Sequence, residues 1–305
     1  MKITADGTDV SNLIGSVTWS GDVKQMARKL SFDYLYTDLS ADIQIVEIGN
    51  GSRIIAYDDN GNNLFDGIVI SEEFDEADIK KSIQAADYAF YLKNKVYGEF
   101  KGTPEQVVKE VVAMFGITVG TLPSVAGEIS ILAAGDKTIY QIIEDAYSSI
   151  EAGVYIRMDG MILNIEEIGS VICGTLTGDD YVTSAKYKSS IENVVNQVAI
   201  IDGSSKLMDV RMNTQDMQYG VIQEVYKHDS SDKNPIEEAE KLFKSMENSG
   251  SLAIKGDYSI VAGRAVIVEK VNSKIQGLFK VTSDSHSISN GQHTATITLD
   301  FTEVV

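Results

Sequence analysis

The stretch Lys29-Leu30-Ser31-Phe32-Asp33-Tyr34-Leu35-Tyr36 decides how the chain is read. Leu30, Phe32, Tyr34 and Tyr36 alternate with other residues at a period of two, as a half-buried β-strand requires. Working outward, Ile43, Ile45 and Ile54–Tyr57 continue the pattern. Asp59-Asn60-Gly61-Asn62 then marks a tight hairpin turn before Leu64–Ile70. Lys81–Tyr91 closes this first β-rich region. At the far end, His293, Ala295, Ile297, Leu299 and Phe301 share one face of a last strand, and Thr294, Thr296, Thr298 and Asp300 the other.

Three helices interrupt the strands. Thr103, Pro104 and Gln106 spell a capping box with proline at the first helical position, followed by an apolar stripe of Val107, Val108, Val111, Val112 and Phe115. The second helix is expected from about Asp136 to Ala152, with Ile139, Ile142, Ile143, Ala146, Tyr147 and Ile150 on its buried side. The third is opened by Asn234-Pro235, carries Ile236, Ala239, Leu242, Phe243 and Met246, and is expected to stop at Gly250. A hairpin, Val154–Met158 and Met161–Glu167 around Asp159-Gly160, follows the second helix. The expected fold class is mainly β with an α+β insertion. Its domains are a β-rich region over 1–92, an α/β insertion over 93–168, and a β-rich region with one inserted helix over 169–305.

Composition narrows the function. Asp and Glu number 45 against 26 Lys and Arg, a formal net charge of -19. That balance argues against gripping nucleic acid, whose binding draws on cations that neutralise phosphates. No apolar run is long enough for a membrane helix, and the first residues lack the apolar core of a secretory signal. A cytoplasmically made, soluble protein is expected. The single cysteine, Cys173, excludes an internal disulfide and is read as an inert thiol, since no cation or base lies near it in sequence.

Chemistry is sparse. The chain has no Gly-x-Ser-x-Gly elbow, His-Glu-x-x-His, Cys-x-x-Cys or P-loop. Gly49-Asn50-Gly51 lacks the third glycine and following helix of a dinucleotide site. Asp58, Asn60 and Asn62 imitate the first ligands of a calcium loop, but the sixth position is Asn63 and the twelfth Val69, so a turn is expected. The three histidines are His228, His286 and His293. His286 sits in Ser283-Asp284-Ser285-His286-Ser287, and alternation puts Asp284, His286 and Ile288 on one face with both flanking serines on the other. A hydrogen-bonded structural histidine is expected. The neighbouring pairs Glu72-Glu73 and Glu166-Glu167 are read as solvated charge. The expectation is therefore no catalytic, cofactor-binding or metal residues.

Short signatures then accumulate along the chain: Trp19-Ser20-Gly21-Asp22 with Ala27–Phe32; Ala86-Asp87-Tyr88 with Tyr91–Asn94 and Gly102–Glu105; Asp136–Ile142; and Glu192–Val198. Tyr219–Glu224, Gly256-Asp257, Gly263–Val268, Gly277–Val281, His286 and Thr294–Leu299 complete the series. In this order they resemble the baseplate hub proteins of contractile phage tails, from prophages and phage-tail-like bacteriocin particles of Gram-positive bacteria. The resemblance implies two tail-tube-like β-barrel domains around a small inserted domain. It implies a homotrimer of pseudo-sixfold symmetry joining the hexameric tail tube to the trimeric spike, alongside other baseplate proteins. DNA would be at most passing cargo, no membrane would be bound, and the protein would pass from the bacterial cytoplasm into the particle. Two other classes stay open: a tail-associated peptidoglycan hydrolase, which would need His286 or a carboxylate pair in an open cleft, and a carbohydrate-binding module built on exposed aromatics.

Overall fold

The computed structural model describes residues 1–36, 46–75, 79–178, 181–228, 234–272 and 274–301; the expected strand residues Ile43 and Ile45 lie outside them. The fold is mainly β, a curled sheet with an α/β insertion. Contacts divide the chain into two units, residues 1–185 with 251–305, and residues 186–250.

In the first unit, Lys29–Leu35 is a strand whose Leu30, Phe32 and Tyr34 are buried, as the alternation dictates. It lies between Ile14–Asp22 and Lys80–Asp87, and the sheet continues through Asn63–Asp75 and Arg53–Tyr57 to Lys2–Ala5, all antiparallel. On its other side Ile14–Asp22 pairs with residues 283–289 of the strand Ile275–Ser289, setting Trp19 opposite His286. Both ends of the chain thus build one sheet.

Ile275–Ser289 changes partners along its length. Its first part pairs with Ala265–Asn272, its second with Ile14–Asp22, and Gln292–Asp300 runs along its other edge with a register shift between Val281 and Ser283. Such a shift bends a strand, which lets one strand serve two parts of a curled sheet. Trp19, Phe32, Tyr34, Ile54, Phe65 and Ile83 belong to the core beneath it.

The insertion belongs to the same unit. Helix α1, Pro104–Ala113, begins with the expected capping box between Thr103 and Gln106 and buries Val107, Val108, Val111 and Val112. Helix α2 is shorter than its apolar pattern suggested, Ile139–Ala146, because Thr138 caps it in a second box with Gln141 while Asp136 and Lys137 stay in the strand Ile129–Thr138. Gly153, at positive φ, follows the bend after it. The two helices cover a ribbon of Lys95–Gly102 and Ile129–Thr138; the hairpin Val154–Asp159 with Ile162–Glu167 adds Ile156, Leu163 and Ile165 to their core. Each fully buried Val or Ile there is worth about 1.5–3 kcal/mol.

In the second unit, Gln197–Ile201 lies between Leu207–Met212, antiparallel, and Gln223–Lys227, parallel. Helix α3 spans only Pro235–Glu240, not the length expected to Gly250. Lys244 leaves helical geometry to exchange both backbone hydrogen bonds with Val195, and Gly250 falls in the strand Glu247–Lys255. Ala239 of α3 packs on Val198 and Ile200. Asn196, fully buried, donates through Nδ2 to the carbonyls of Asp216 (3.0 Å) and Gly220 (2.7 Å) and accepts from Ile222 N–H at 2.8 Å.

Candidate functional site

The densest polar cluster of the first unit sits where the two chain ends meet. Arg28, just before Lys29–Leu35, reaches across Ile14–Asp22 to Asp284 on Ile275–Ser289. Its Nη1 donates to Asp284 Oδ1 at 2.9 Å and its Nη2 to Oδ2 at 2.6 Å. Both side chains are buried, and Ala262 N–H also donates to Oδ1 at 2.6 Å. Tyr155, from the insertion, meets Arg28 Nη1 through its hydroxyl at 3.4 Å. Burial pushes the Asp284 carboxyl up, but the Arg28 charge and the hydrogen bond from His286 outweigh it and hold the carboxyl below its ordinary value. For Arg28, burial opposes the charge, while Tyr155 and Asp284 overcome that and strengthen its hold on the proton. The guanidinium also lies 4.1 Å from the centre of the Trp19 ring.

His286 continues the network with no exposed surface. Nε2 faces the Ile260 carbonyl at 3.1 Å and Asp284 Oδ2 at 3.3 Å, so it carries the proton, and Nδ1 faces His293 Nε2 at 3.0 Å. His293 stacks on Tyr258 with centroids 4.1 Å apart, and the ring is seated over Gly256, where a Cβ would come within 2.0 Å of it. Burial, then the neighbouring His286, lowers the His293 pKa to about 4. Asp87, capping a 3-10 turn by accepting from Ala89 N–H, is pushed up to about 7 by burial.

This arrangement ties the two chain ends together through buried hydrogen bonds. Asp284 and His286 share the buried face, while Ser285 and Ser287 point to the other. The imidazole nitrogens are taken by a carbonyl, a carboxylate and a second imidazole, so no hydroxyl sits where a triad would need one. A cleft of about 400 Å³ beside the cluster is lined by Arg28, Asp66, Asp87, Tyr155, Arg157 and Arg264. Two of these charges pair with residues beside the cleft: Asp66 Oδ2 lies 2.6 Å from Arg53 Nη2, and Arg157 Nε lies 3.1 Å from Glu166 Oε1.

The remaining sequence candidates fall apart in space. Asp58 spends its carboxylate on Asn60 N–H, Asn62 N–H and the Asn62 amide, which makes the calcium-like stretch an Asx turn. Cys173 Sγ donates to the Ser259 carbonyl at 2.9 Å, and burial pushes its thiol pKa up. Glu72 pairs with Lys81, and His228 N–H closes the second unit's sheet on Ile201 O. Among the described residues, no group of three or more His, Cys, Asp or Glu could hold a metal ion. Sequence reasoning saw the Asp284–His286 face but missed Arg28 as its partner. Arg28 and Asp284 lie 256 residues apart, and although Arg28 falls in the signature stretch Ala27–Phe32, nothing in the sequence ties it to Asp284.

The YQBQ-like family model matches residues 17–300, which includes every member of this cluster. The chain belongs to the YQBQ-like family. Among solved structures, this YQBQ-like chain is similar to the 43 kDa tail protein of prophage MuSo2 from Shewanella oneidensis, with 18% identity and a TM-score of 0.74 over 98% of this chain and 97% of that one. It is also similar to a tail protein from Neisseria meningitidis, with 14% identity and a TM-score of 0.68 over 99% and 96%. It is likewise similar to the E. coli c3393 protein, a type VI secretion component with structural similarity to T4 tail proteins gp27 and gp5, with 7% identity and a TM-score of 0.56 over 99% and 78%. No curated protein matches. The YQBQ-like chain therefore has the fold of phage tail proteins, and the cluster fastens that fold where its two ends share a sheet.

Proposed function

We propose that this YQBQ-like protein is a structural, non-catalytic baseplate hub, joining the tail tube to the spike of a contractile phage-tail-like particle. The observation that carries the reading is the match of essentially the whole chain to essentially the whole of a prophage tail protein, 98% against 97%. Within the described residues, the His286 site is committed to internal hydrogen bonds. In this reading the β-rich regions over 1–92 and 169–305 are the two barrels and 93–168 is the insertion. Three copies then place six barrels in a ring, matching a sixfold tube on one side and a threefold spike on the other. The acidic surface suits a channel past which DNA, where a particle carries it, slides without sticking.

The test is the solution mass of the purified chain by light scattering across a concentration series, followed by electron microscopy. A mass near three times 33.2 kDa, in rings with a central hole, is expected. A monomer at every concentration, or clearing of cell walls in a zymogram, would overturn the reading.

A further inference from the structure

The second unit leaves one face of its three-stranded sheet open. Register places Val210, Ala199 and Val225 in one row across the strands, with rows centred on Gln197 and Ile201 on either side. Helix α3 packs on the opposite face, where Val198 and Ile200 point. On this face the edge-strand residues are exposed, Leu207 58%, Met212 51%, Val225 46% and Val210 37%, with Ala199 between them in the central strand at 7%. An apolar sheet face left to water is costly, and in a monomer it marks a contact surface.

Its charge says what kind of partner fits. Acidic residues make up 45 of 305 in the chain, about one in seven, yet none of the nine side chains in these three rows is acidic and one, Lys227, is basic. Two copies with a formal charge of -19 each repel on approach, and a face without carboxylates adds nothing to that repulsion. In a ring of three, each contact joins two different surfaces, so the surface met on the neighbour must lie elsewhere on the chain. The described residues offer one: the outer side of the ribbon Lys95–Gly102 and Ile129–Thr138. There Tyr97 (76% exposed) and Leu132 (70%) are the most exposed large apolar side chains and sit diagonally across the pair.

We infer that the open face of the second unit is a self-association surface, docking on the Tyr97–Leu132 ribbon of the next copy. The inference rests on the ring reading above and names its interface.

The experiment uses the full chain and two double variants, Val210→Asp/Val225→Asp and Tyr97→Asp/Leu132→Asp, each checked by thermal melting against the parent. The parent is expected at three times the chain mass and each variant at one. An equimolar mixture of the variants is expected at twice the chain mass, because one intact face and one intact ribbon remain between them. Folded variants that stay trimeric, or a mixture that stays monomeric, would overturn this interface while leaving the ring reading in place. A monomeric parent would overturn both.

Discussion

Asp284→Ala is the sharpest test of the buried cluster. The substitution removes both acceptors of the Arg28 guanidinium, at 2.9 and 2.6 Å, the acceptor of Ala262 N–H at 2.6 Å, and a carboxylate 3.3 Å from His286. Removing one partner of a buried ion pair costs about 3–5 kcal/mol, since the other charge stays dehydrated and unpaired. The stranded amide adds about 1–3 kcal/mol, but the groups share one network and the costs do not add in full. A loss of about 4 kcal/mol is expected, which lowers the melting temperature by roughly 10 °C at the usual 2–4 °C per kcal/mol for a unit of this size. Replacing both charges, Arg28→Met with Asp284→Leu, should cost clearly less, because no charge is left buried alone. Trp19 is the only tryptophan, and its ring touches both Arg28 and His286, so its fluorescence in a urea titration reports this site directly. A loss under about 1 kcal/mol for the single variant, or an equal loss for the double, would refute the reasoning.

Acid stability should separate a buried and a half-buried group of opposite sign. Burial holds Asp87 near 7, so its stabilising contribution is full below its unfolded value of about 3.9 and is lost as pH rises to 7. His293, held at about 4, contributes above its unfolded value of about 6.5, and that contribution is lost as pH falls from there through 4. Urea midpoints from pH 4 to 7 should therefore rise with pH in Asp87→Asn and fall with pH in His293→Gln; slopes of the same sign would contradict both assignments. Asn196→Ala strands two carbonyls and an amide in the second unit and should cost about 2–3 kcal/mol, read as faster amide hydrogen exchange at Ile222 and Gly220. Gly263 has φ +85°, and a Cβ there would stand 2.5 Å from the Tyr155 ring, so Gly263→Ala should lower the melting temperature by several degrees; an unchanged melt would mean the insertion is not held there.

The local elements were legible in the sequence because their causes are local. A period of two fixed the burial of Leu30, Phe32 and Tyr34, and Thr103-Pro104-Glu105-Gln106 fixed where α1 starts, since a capping box closes within four residues. The same alternation put Asp284 and His286 on one face and so ruled out their flanking serines as partners. Helix ends were less legible. Thr138 delays the start of α2 and Lys244 shortens α3, through a cap and a cross-strand bridge, and apolar periodicity carries no record of either. Only the tertiary structure decided that Ile14–Asp22 pairs with residues 283–289, and therefore that Arg28 meets Asp284. It also decided which face of the second unit's sheet stays open, because α3 could have covered either one. A strand's pattern states that one face is buried; what it is buried against depends on chain closure over hundreds of residues, which no short-range spacing encodes.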